Sequence, residues 1–330
     1  MSVRATFVAT SLAAVLLAAT GCGAAERASA DSAHGAPIPT AVSSPHATRT
    51  ADPSQAGRMA GPAKPVASPS PTPTATPTPT PKPTPACPYP TSGFDCDFQH
   101  RFAAAQAYLR TRPGTVGIVV RDRTTGAVWR NSYADTLVWT ASTVKLAMSV
   151  DLLLRDRAGS ITLTDADRGL IHNMLNFSDD NAADTLWFKY GGADFATRFP
   201  SYGLTGITFV PGFQHYWGYM KCAPSDLDRL IQYVLTRLPV DLRDYVVNQM
   251  RHVAADQQWG VWGAGPAAQP GNKDGWSLEQ GGWVINSVGF VGPGQRYTLA
   301  MMNSLNGQGG YADGTATISH VAQLIFTGRF

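Results

Sequence analysis

Glutamate is almost missing from this chain of 330 residues, which has only Glu26 and Glu279. Cysteine is also scarce: the chain has four cysteines, no CxxC pair and seven scattered histidines. These absences exclude the ligand spacings of zinc sites, so we expect neither a metal nor a cofactor. The net charge of +3 comes without blocks of like charge, which argues against a nucleic-acid partner.

One long apolar run stands at the N-terminus. Residues 1–21 carry a single arginine and then an Ala-, Leu- and Val-rich stretch that ends in "LAATGC", which is typical of a signal peptide. Cys22 follows as in a bacterial lipobox, although Ala19 stands where leucine is usual. We expect Cys22 to be lipidated and to hold the exported protein on the outer face of the cell membrane. Cleavage without lipidation, which would give a secreted protein, is the alternative.

Residues 22–96 are predicted to be a lipid-anchored tether, with "PSPTPTATPTPTPKPTP" as its most biased part. Proline at every second position blocks both helix and sheet hydrogen bonding and favours an extended polyproline II chain. We therefore expect a spacer that holds a domain away from the membrane. A ligand for a proline-binding domain is the less favoured interpretation.

Three cysteines remain besides Cys22, and an exported protein can keep a disulfide. Cys87 and Cys96 are close in sequence and flank turns that contain proline and glycine, so we expect them to be paired. Cys222 is then a free, buried thiol. Pairing of Cys222 with either of the other two stays open, because the sequence alone does not decide connectivity.

Residues 97–330 are predicted to form one α+β domain. Helical apolar spacing marks residues 97–112, and two β runs joined by a Thr-Thr-Gly turn follow in residues 114–133. Residues 140–259 are mostly helical, and strand-like segments and a closing helix come after Gly271. We expect one antiparallel sheet built from both chain ends, with terminal helices, an inserted all-α lobe and a functional cleft between them.

The sequence "ASTVKL" places Ser142 three residues before Lys145, where a helix is predicted to begin. Residues three apart share a helix face. With Thr140 as the N-cap, Ser142 lies in the first turn, where free N–H groups favour a developing anion. A serine nucleophile needs a base, and a desolvated lysine can serve as one. Ser-x-x-Lys also arises often by chance, so this motif alone is weak.

Two further motifs follow along the chain. In "NFSDDNAADTLW", Ser178 precedes two aspartates and Asn181 at a predicted helix start. An N-capping cluster is the simpler interpretation, and a catalytic pair of adjacent carboxylates is not favoured. In "NKDGW", Lys273 and Gly275 open a predicted strand, where glycine suggests close approach of a backbone or ligand, or else a simple turn.

Ser-x-x-Lys at a helix start, Ser-Asp-x before a helix and Lys-x-Gly on a strand together resemble a known family. Their order and settings are similar to the S-x-x-K, S-D-N and K-T-G motifs of class A β-lactamases and their penicillin-binding relatives. The resemblance extends from about Asp97 to Phe330. "KDGW" followed by "GGWVINSVGF" is most similar to actinobacterial lipoproteins of that superfamily. A β-lactamase/transpeptidase-like fold is implied.

The resemblance implies a role for each matching residue. Ser142 would attack an amide or lactam carbonyl, Lys145 would take its proton, and Ser178 would return a proton to the leaving nitrogen. Backbone N–H groups of Ser142 and Trp276 would form the oxyanion hole, and Lys273 would face a substrate carboxylate. The other residues expected to border the substrate are Asp180, Asn181, Asp274 and Gly275.

The sequence departs from the family pattern in three places. Asp180 replaces the asparagine of S-D-N, with Asn181 one place later, and Asp274 replaces the Thr or Ser of K-T-G. Both changes add negative charge that would keep the site lysines protonated, and Asp274 would repel a substrate carboxylate if it faced the cleft. Class A enzymes also use a glutamate after the S-D-N helix to activate the deacylating water. The loop over residues 191–226 has none, and "HYWGY" stands roughly in its place.

Two functions are consistent with these residues. The leading hypothesis is a monomeric serine hydrolase that forms an acyl-enzyme with β-lactams or D-alanyl cell-wall peptides and deacylates slowly. The second is a degenerate lipoprotein that binds penicillin or peptidoglycan without turnover. Asp180 and Asp274 favour the second hypothesis, whereas the retained Ser142 and Lys145 oppose it.

The predicted lipid anchor has a direct test. Replacing Cys22 with Ala should release the protein from the membrane or stall its processing, because the acylated thiol would be lost. Detergent phase partitioning of wild type and variant measures this change. Equal partitioning of both proteins into the aqueous phase would contradict the anchor.

Overall fold

A computed structural model describes residues 86–330. The predicted signal peptide, Cys22 and residues 22–85 of the predicted tether lie outside the described residues. In the described part, no helix is long and apolar enough to cross a membrane. Its helices are α1 Cys96–Leu109, α2 Val144–Arg157, α3 Asp165–Asn176, α4 Asp180–Lys189, α5 Asp194–Arg198, α6 Pro224–Thr236, α7 Val240–Arg251 and α8 Tyr311–Phe326. Its strands are β1 Thr115–Asp122, β2 Val128–Arg130, β3 Val138–Trp139, β4 Thr208–Phe209, β5 Met220–Cys222, β6 Gly271–Glu279, β7 Gly282–Val291 and β8 Tyr297–Ser304.

A five-stranded antiparallel sheet has the strand order β2-β1-β8-β7-β6. β1 and β2 come from the beginning of the domain, and β6 to β8 come from its end. The two groups join where β1 pairs with β8, from Thr115 opposite Ser304 to Asp122 opposite Tyr297. Helices α2 to α7 lie between them in sequence. The prediction of an α+β fold with one sheet built from both chain ends is therefore confirmed.

The two faces of this sheet contribute to two apolar cores. On one face, Phe98 and Phe102 of α1 pack with Ile318 and Ile325 of α8 against strand residues such as Ile118. The other core joins the helical lobe to the opposite face. Since both faces are covered, β1 is apolar almost throughout, and only Thr115 and Arg121 are less deeply buried.

The inserted lobe contains strands that the sequence pattern did not predict. β3, β5 and β4 form a separate three-stranded antiparallel sheet, so the description of the lobe as all-α is corrected. Strands of two or three residues are too short for alternation to reveal them. Thr140 donates its N–H to the carbonyl of Met220 at 2.9 Å. The small sheet therefore holds the chain immediately before Ser142.

The cysteines of the described part comprise one pair and one single thiol. Cys87 and Cys96, the pair favoured from the sequence, form a disulfide. Cys222 on β5 is free and buried. Burial raises the pKa of the Cys222 thiol well above its usual value, which keeps the unreactive thiol form.

Packing against the domain begins upstream of the predicted boundary at Asp97. Phe94 is buried, and its ring contacts those of Phe98 and Phe102 edge-on. Asp95 caps α1 by accepting the N–H of Phe98 at 2.8 Å. These contacts add the residues around the disulfide to the folded unit.

Asp151 on α2 ties the helical lobe together. It is fully buried and accepts hydrogen bonds from Arg198 at 2.7 and 3.0 Å, from Tyr202 at 2.8 Å and from Arg155 at 3.3 Å. Arg198 and Tyr202 belong to α5 and the 3-10 turn after it. The carboxylate thus joins α2 to this later segment, and its buried charge is compensated.

Replacing Asp151 with Ala should lower the free energy of unfolding by about 3 kcal/mol, the lower end for a broken buried ion pair. The lower end applies because Arg155 and Arg198 keep some access to water. Urea unfolding followed by circular dichroism measures the loss. Asp241→Ala, which breaks an exposed pair with Arg157, is the control and should change the midpoint little. Equal losses in both variants would contradict this role of Asp151.

Candidate active site

The turn that carries Ser142 connects β3 to α2. Ala141–Thr143 forms a single 3-10 turn in which Ala141 has a φ of 43°. This left-handed conformation is costly for a residue with a Cβ and is often found at functional sites. Thr140 does not cap the helix as predicted, because its hydroxyl donates to the carbonyl of Met220. Ser142 itself is nearly buried, with 8% of its surface exposed.

β6 passes this turn so closely that only glycine fits. A Cβ on Gly275 would lie 2.7 Å from the nitrogen of Thr143 and 2.8 Å from that of Ser142. The close approach expected for Gly275 is therefore present. Asn286, opposite Gly275 on β7, donates to the carbonyl of Trp139 at 2.8 Å. This buried amide fastens the chain before the turn to the sheet, and no sequence pattern revealed it.

Lys145 is fully buried on α2, one helical turn after Ser142. Its ammonium donates to the carbonyl of Ser178 at 2.6 Å and to the carboxylate of Asp180 at 2.5 Å. It also lies 4.6 Å from the ring centre of Trp217. Burial lowers the pKa of Lys145, and the charge of Asp180 opposes that shift. No hydrogen bond in the described structure joins Lys145 to the Ser142 hydroxyl.

Ser178 bridges two buried lysines. Its carbonyl accepts from Lys145, and its hydroxyl accepts from Lys273 of β6 at 2.8 Å. Ser178 has a φ of 58°, the second left-handed non-glycine residue at this site. Lys273 also donates to the carbonyl of Asp274 at 2.8 Å. Burial and the neighbouring Lys145 cation lower the pKa of Lys273 to about 7.

The three residues after Ser178 have separate roles. Asp179 caps α4 by accepting the N–H of Ala182 at 3.1 Å, so the capping interpretation holds for this residue. Asp180 contacts Lys145 although 71% of its side chain is exposed. Asn181 is exposed and is not among the hydrogen-bond partners of either site lysine in the described structure. A step of one residue turns a helical side chain by about 100°, so Asn181 does not replace Asp180.

Asp274 does not have the position that its motif suggested. Lys273 and Gly275 face the helical lobe, and alternation along β6 directs Asp274 to the opposite face. It is 1% exposed there, and burial raises its pKa well above the usual value. The predicted repulsion of a substrate carboxylate therefore does not follow, whereas the charge of Asp274 still opposes the lowering of the Lys273 pKa by burial. Trp276 shares the face of Asp274, where its ring contacts other aromatic side chains.

Three residues reach the site that the motifs did not identify. Asp184 lies one turn after Asp180 on α4 and accepts a hydrogen bond from the Trp217 indole N–H at 2.8 Å. The hydroxyl of Tyr216 donates to the same oxygen. The spacing of Asp180 and Asp184 indicates a shared helix face. No local pattern marks the contact of Trp217 with Lys145, which is 72 positions away in the chain.

The arrangement supplies groups suited to acyl transfer. A lysine whose pKa is lowered by burial can accept a proton at moderate pH. The Ser178 hydroxyl, bonded to Lys273, can pass a proton to a leaving group. In residues 86–330, no three His, Cys, Asp or Glu side chains converge as a metal site would require.

Comparison with known proteins finds relatives by sequence. No family model matches the chain. Over 223 residues the chain is 30% identical to a protein named "Putative lipoprotein LppW" in Mycobacterium tuberculosis and Mycobacterium bovis. The alignment covers 64% of this chain and 69% of the relative.

Solved structures of known proteins share the fold. A class A β-lactamase described as the last common ancestor of Gram-negative bacteria is 19% identical, with a TM-score of 0.57 over 68% of this chain and 97% of its own. PBP-A is 20% identical, with a TM-score of 0.58 over 68% of this chain and 94% of its own. The chain therefore belongs to the same family as LppW, and it shares the fold of class A β-lactamases and PBP-A.

Proposed function

We propose that the protein is a serine hydrolase that forms an acyl-enzyme at Ser142 with β-lactams or D-alanyl cell-wall peptides. The bridge at Ser178 carries this proposal, because Lys145 meets its carbonyl and Lys273 meets its hydroxyl. The bridge brings two amines of lowered pKa to one serine, Lys145 at its carbonyl and Lys273 at its hydroxyl. A variant of PBP-A has been solved as an acyl-enzyme complex with penicillin G, which supports the substrate class.

The proposed reaction begins with attack of the Ser142 oxygen on the lactam or amide carbonyl carbon. Neutral Lys145 accepts the hydroxyl proton, and backbone N–H groups of Ser142 and Trp276 hold the oxyanion. The amide C–N bond then breaks. Ser178 gives its proton to the leaving nitrogen and is reprotonated through Lys273, which faces a substrate carboxylate. Burial supports the first step because it favours the neutral amine of Lys145, whereas Lys273 must be an ammonium to return a proton to Ser178.

Slow deacylation is the second part of the proposal. Hydrolysis of the acyl-enzyme needs a water and a positioned base, and the loop over residues 191–226 has no glutamate. The indole of Trp217 lies beside Lys145 instead. The indole ring cannot accept a proton from water, so Trp217 does not replace the missing glutamate.

We further propose that residues 1–21 are a signal peptide, that Cys22 is lipidated, and that the chain after Cys22 tethers a monomeric hydrolase domain whose folded unit includes Phe94 and the Cys87–Cys96 disulfide. The protein would then be exported and held on the outer face of the cell membrane, where it would meet cell-wall peptides. The lipoprotein name of the mycobacterial relative supports this location.

Binding without turnover is a second candidate function. Asp180 favours it, since its carboxylate contacts the Lys145 ammonium at 2.5 Å, and an ammonium cannot accept the proton of Ser142. A protein locked in this state would be a degenerate lipoprotein that binds penicillin or peptidoglycan. The hydrogen bonds from both lysines to Ser178 argue against this candidate, because binding alone does not require them.

Acylation of Ser142 has a direct readout. Intact-mass spectrometry after mixing with penicillin G should show an adduct that lasts about a hundred- to ten-thousand-fold longer than in an efficient β-lactamase, the range attributed to a general base. This range corresponds to about 3 to 5 kcal/mol of barrier. Ser142→Ala should abolish the adduct, whereas Ser160→Ala, an exposed serine after α2, should retain it. Fast hydrolysis without a trapped adduct would contradict slow deacylation, and an absent adduct would favour the binding function.

Replacing Asp180 with Asn should move the acid limb of the pH profile of the acylation rate to lower pH. The substitution keeps a hydrogen-bond acceptor but removes the charge that raises the pKa of Lys145. A lower pKa leaves more neutral Lys145 at a given pH. Rates of labelling by a fluorescent penicillin, measured across pH, test this shift.

The matched control is Asp165→Asn, which removes an exposed carboxylate from the first turn of α3. Its pH profile should follow the wild type. A shift of the Asp180→Asn profile to higher pH, or no shift, would mean that Asp180 does not control the base.

A further inference from the structure

The segment that contains Tyr216 and Trp217 contacts the site at the point where a deacylating base was expected. The Trp217 ring is 5% exposed, with the Lys145 ammonium 4.6 Å from its centre. On its edge, the indole N–H donates to Asp184 at 2.8 Å, and the hydroxyl of Tyr216 donates to the same carboxylate oxygen. One indole therefore joins Lys145 to Asp184.

One face of α4 supplies both carboxylates of this arrangement. Asp180 and Asp184 are four residues apart, and side chains at this spacing are neighbours on a helix. Asp180 accepts from Lys145, whereas Asp184 accepts from the two aromatic side chains. Hydrogen bonds to an ionised acceptor are stronger than neutral ones. The segment is thus fastened to the same helix that borders the lysine.

The position of the indole limits the access of water to Lys145. The lysine is fully buried, and its two hydrogen bonds go to Ser178 and Asp180. The ring adds an apolar surface that attracts the ammonium by a cation–π interaction but offers no hydrogen bond to water. Excluding water from a closed site suppresses the hydrolysis of reactive intermediates.

We propose that Asp184 is a positioning residue that anchors Tyr216 and Trp217, so that the Trp217 indole shields Lys145 and the acyl-Ser142 ester from water. This inference rests on the proposed acyl-enzyme function. It adds a second cause of slow deacylation. The site lacks a glutamate to activate water, and the indole also keeps water away from the ester. It also assigns the "HYWGY" segment a shielding role.

Variants of Asp184 distinguish an anchor from a hidden base. Asp184→Asn retains an oxygen that can accept from both aromatic donors but cannot act as a base, whereas Asp184→Ala releases both donors. For an anchor, Asp184→Ala should shorten the lifetime of the penicillin G adduct by about tenfold or more, equivalent to ~1.4 kcal/mol of barrier. Asp184→Asn should keep a lifetime close to wild type.

Variants of Trp217 test the shield itself. Trp217→Ala should shorten the adduct lifetime as Asp184→Ala does, and Trp217→Phe, which retains an aromatic ring, should shorten it less. Thermal melting monitors folding, and the conservative Asn and Phe variants keep the comparison interpretable if an Ala variant fails to fold. Lifetimes that increase in both Asp184 variants would identify a catalytic base and overturn the proposal. Unchanged lifetimes in all variants would overturn it as well.

A second readout does not require acylation. Reductive methylation of the free protein, quantified by peptide mass spectrometry as a function of pH, reports the access of reagent to Lys145 relative to the half-exposed Lys189. Trp217→Ala and Asp184→Ala should raise the methylation rate that Lys145 reaches at high pH, where the amine is neutral, whereas Asp184→Asn should not. If no adduct forms in any protein, the hydrolase function fails, and this labelling still decides whether Asp184 and Trp217 shield the lysine. Equal labelling in all variants would overturn the shield.

Discussion

The burial of two lysines against one serine is the constraint on which the site depends. Lys145 and Lys273 are at most 1% exposed, and an unpaired buried ammonium is strongly unfavourable. Ser178 reduces this cost by accepting from Lys145 with its carbonyl and from Lys273 with its hydroxyl. Its left-handed backbone, with a φ of 58°, is part of this geometry. The strain at Ser178 is thus linked to the compensation of two buried amines.

The protonation of Lys145 results from opposing effects. Burial disfavours the ammonium, while Asp180 and the more distant Asp184 favour it. An asparagine in place of Asp180 would provide an acceptor without a full charge. The aspartate therefore moves the site from a free base toward an ion pair. This balance decides between the hydrolase and the binding candidate, because only a neutral lysine can take the proton of Ser142.

The architecture brings distant parts of the chain to this small volume. β6 carries Lys273 past the turn that contains Ser142, and the missing side chain of Gly275 permits the approach. β7 contributes Asn286, which holds the carbonyl of Trp139. Sheet and helical lobe therefore share the site, and a shift of β6 would disturb both the nucleophile turn and the Ser178 bridge.

The sequence by itself determined the features that depend on local spacing. Helical and strand periodicity predicted the α+β fold, which is confirmed because strand periodicity is visible in runs as long as those of the main sheet. The motif spacings selected Ser142, Lys145, Ser178 and Lys273 as site candidates, and the structure joins Lys145 and Lys273 through Ser178. The two- and three-residue strands around β3 carried no such periodicity.

Only the tertiary structure decided how the site residues are oriented and charged. Motif order placed Asp274 beside Lys273, but strand alternation turns it to the opposite face, where burial raises its pKa. The contact of Lys145 with Trp217 joins residues far apart in the chain, and Asn286 acts through strand pairing. Contacts between distant segments and the burial of the site lysines exist only in the folded chain, so local sequence patterns could not predict them.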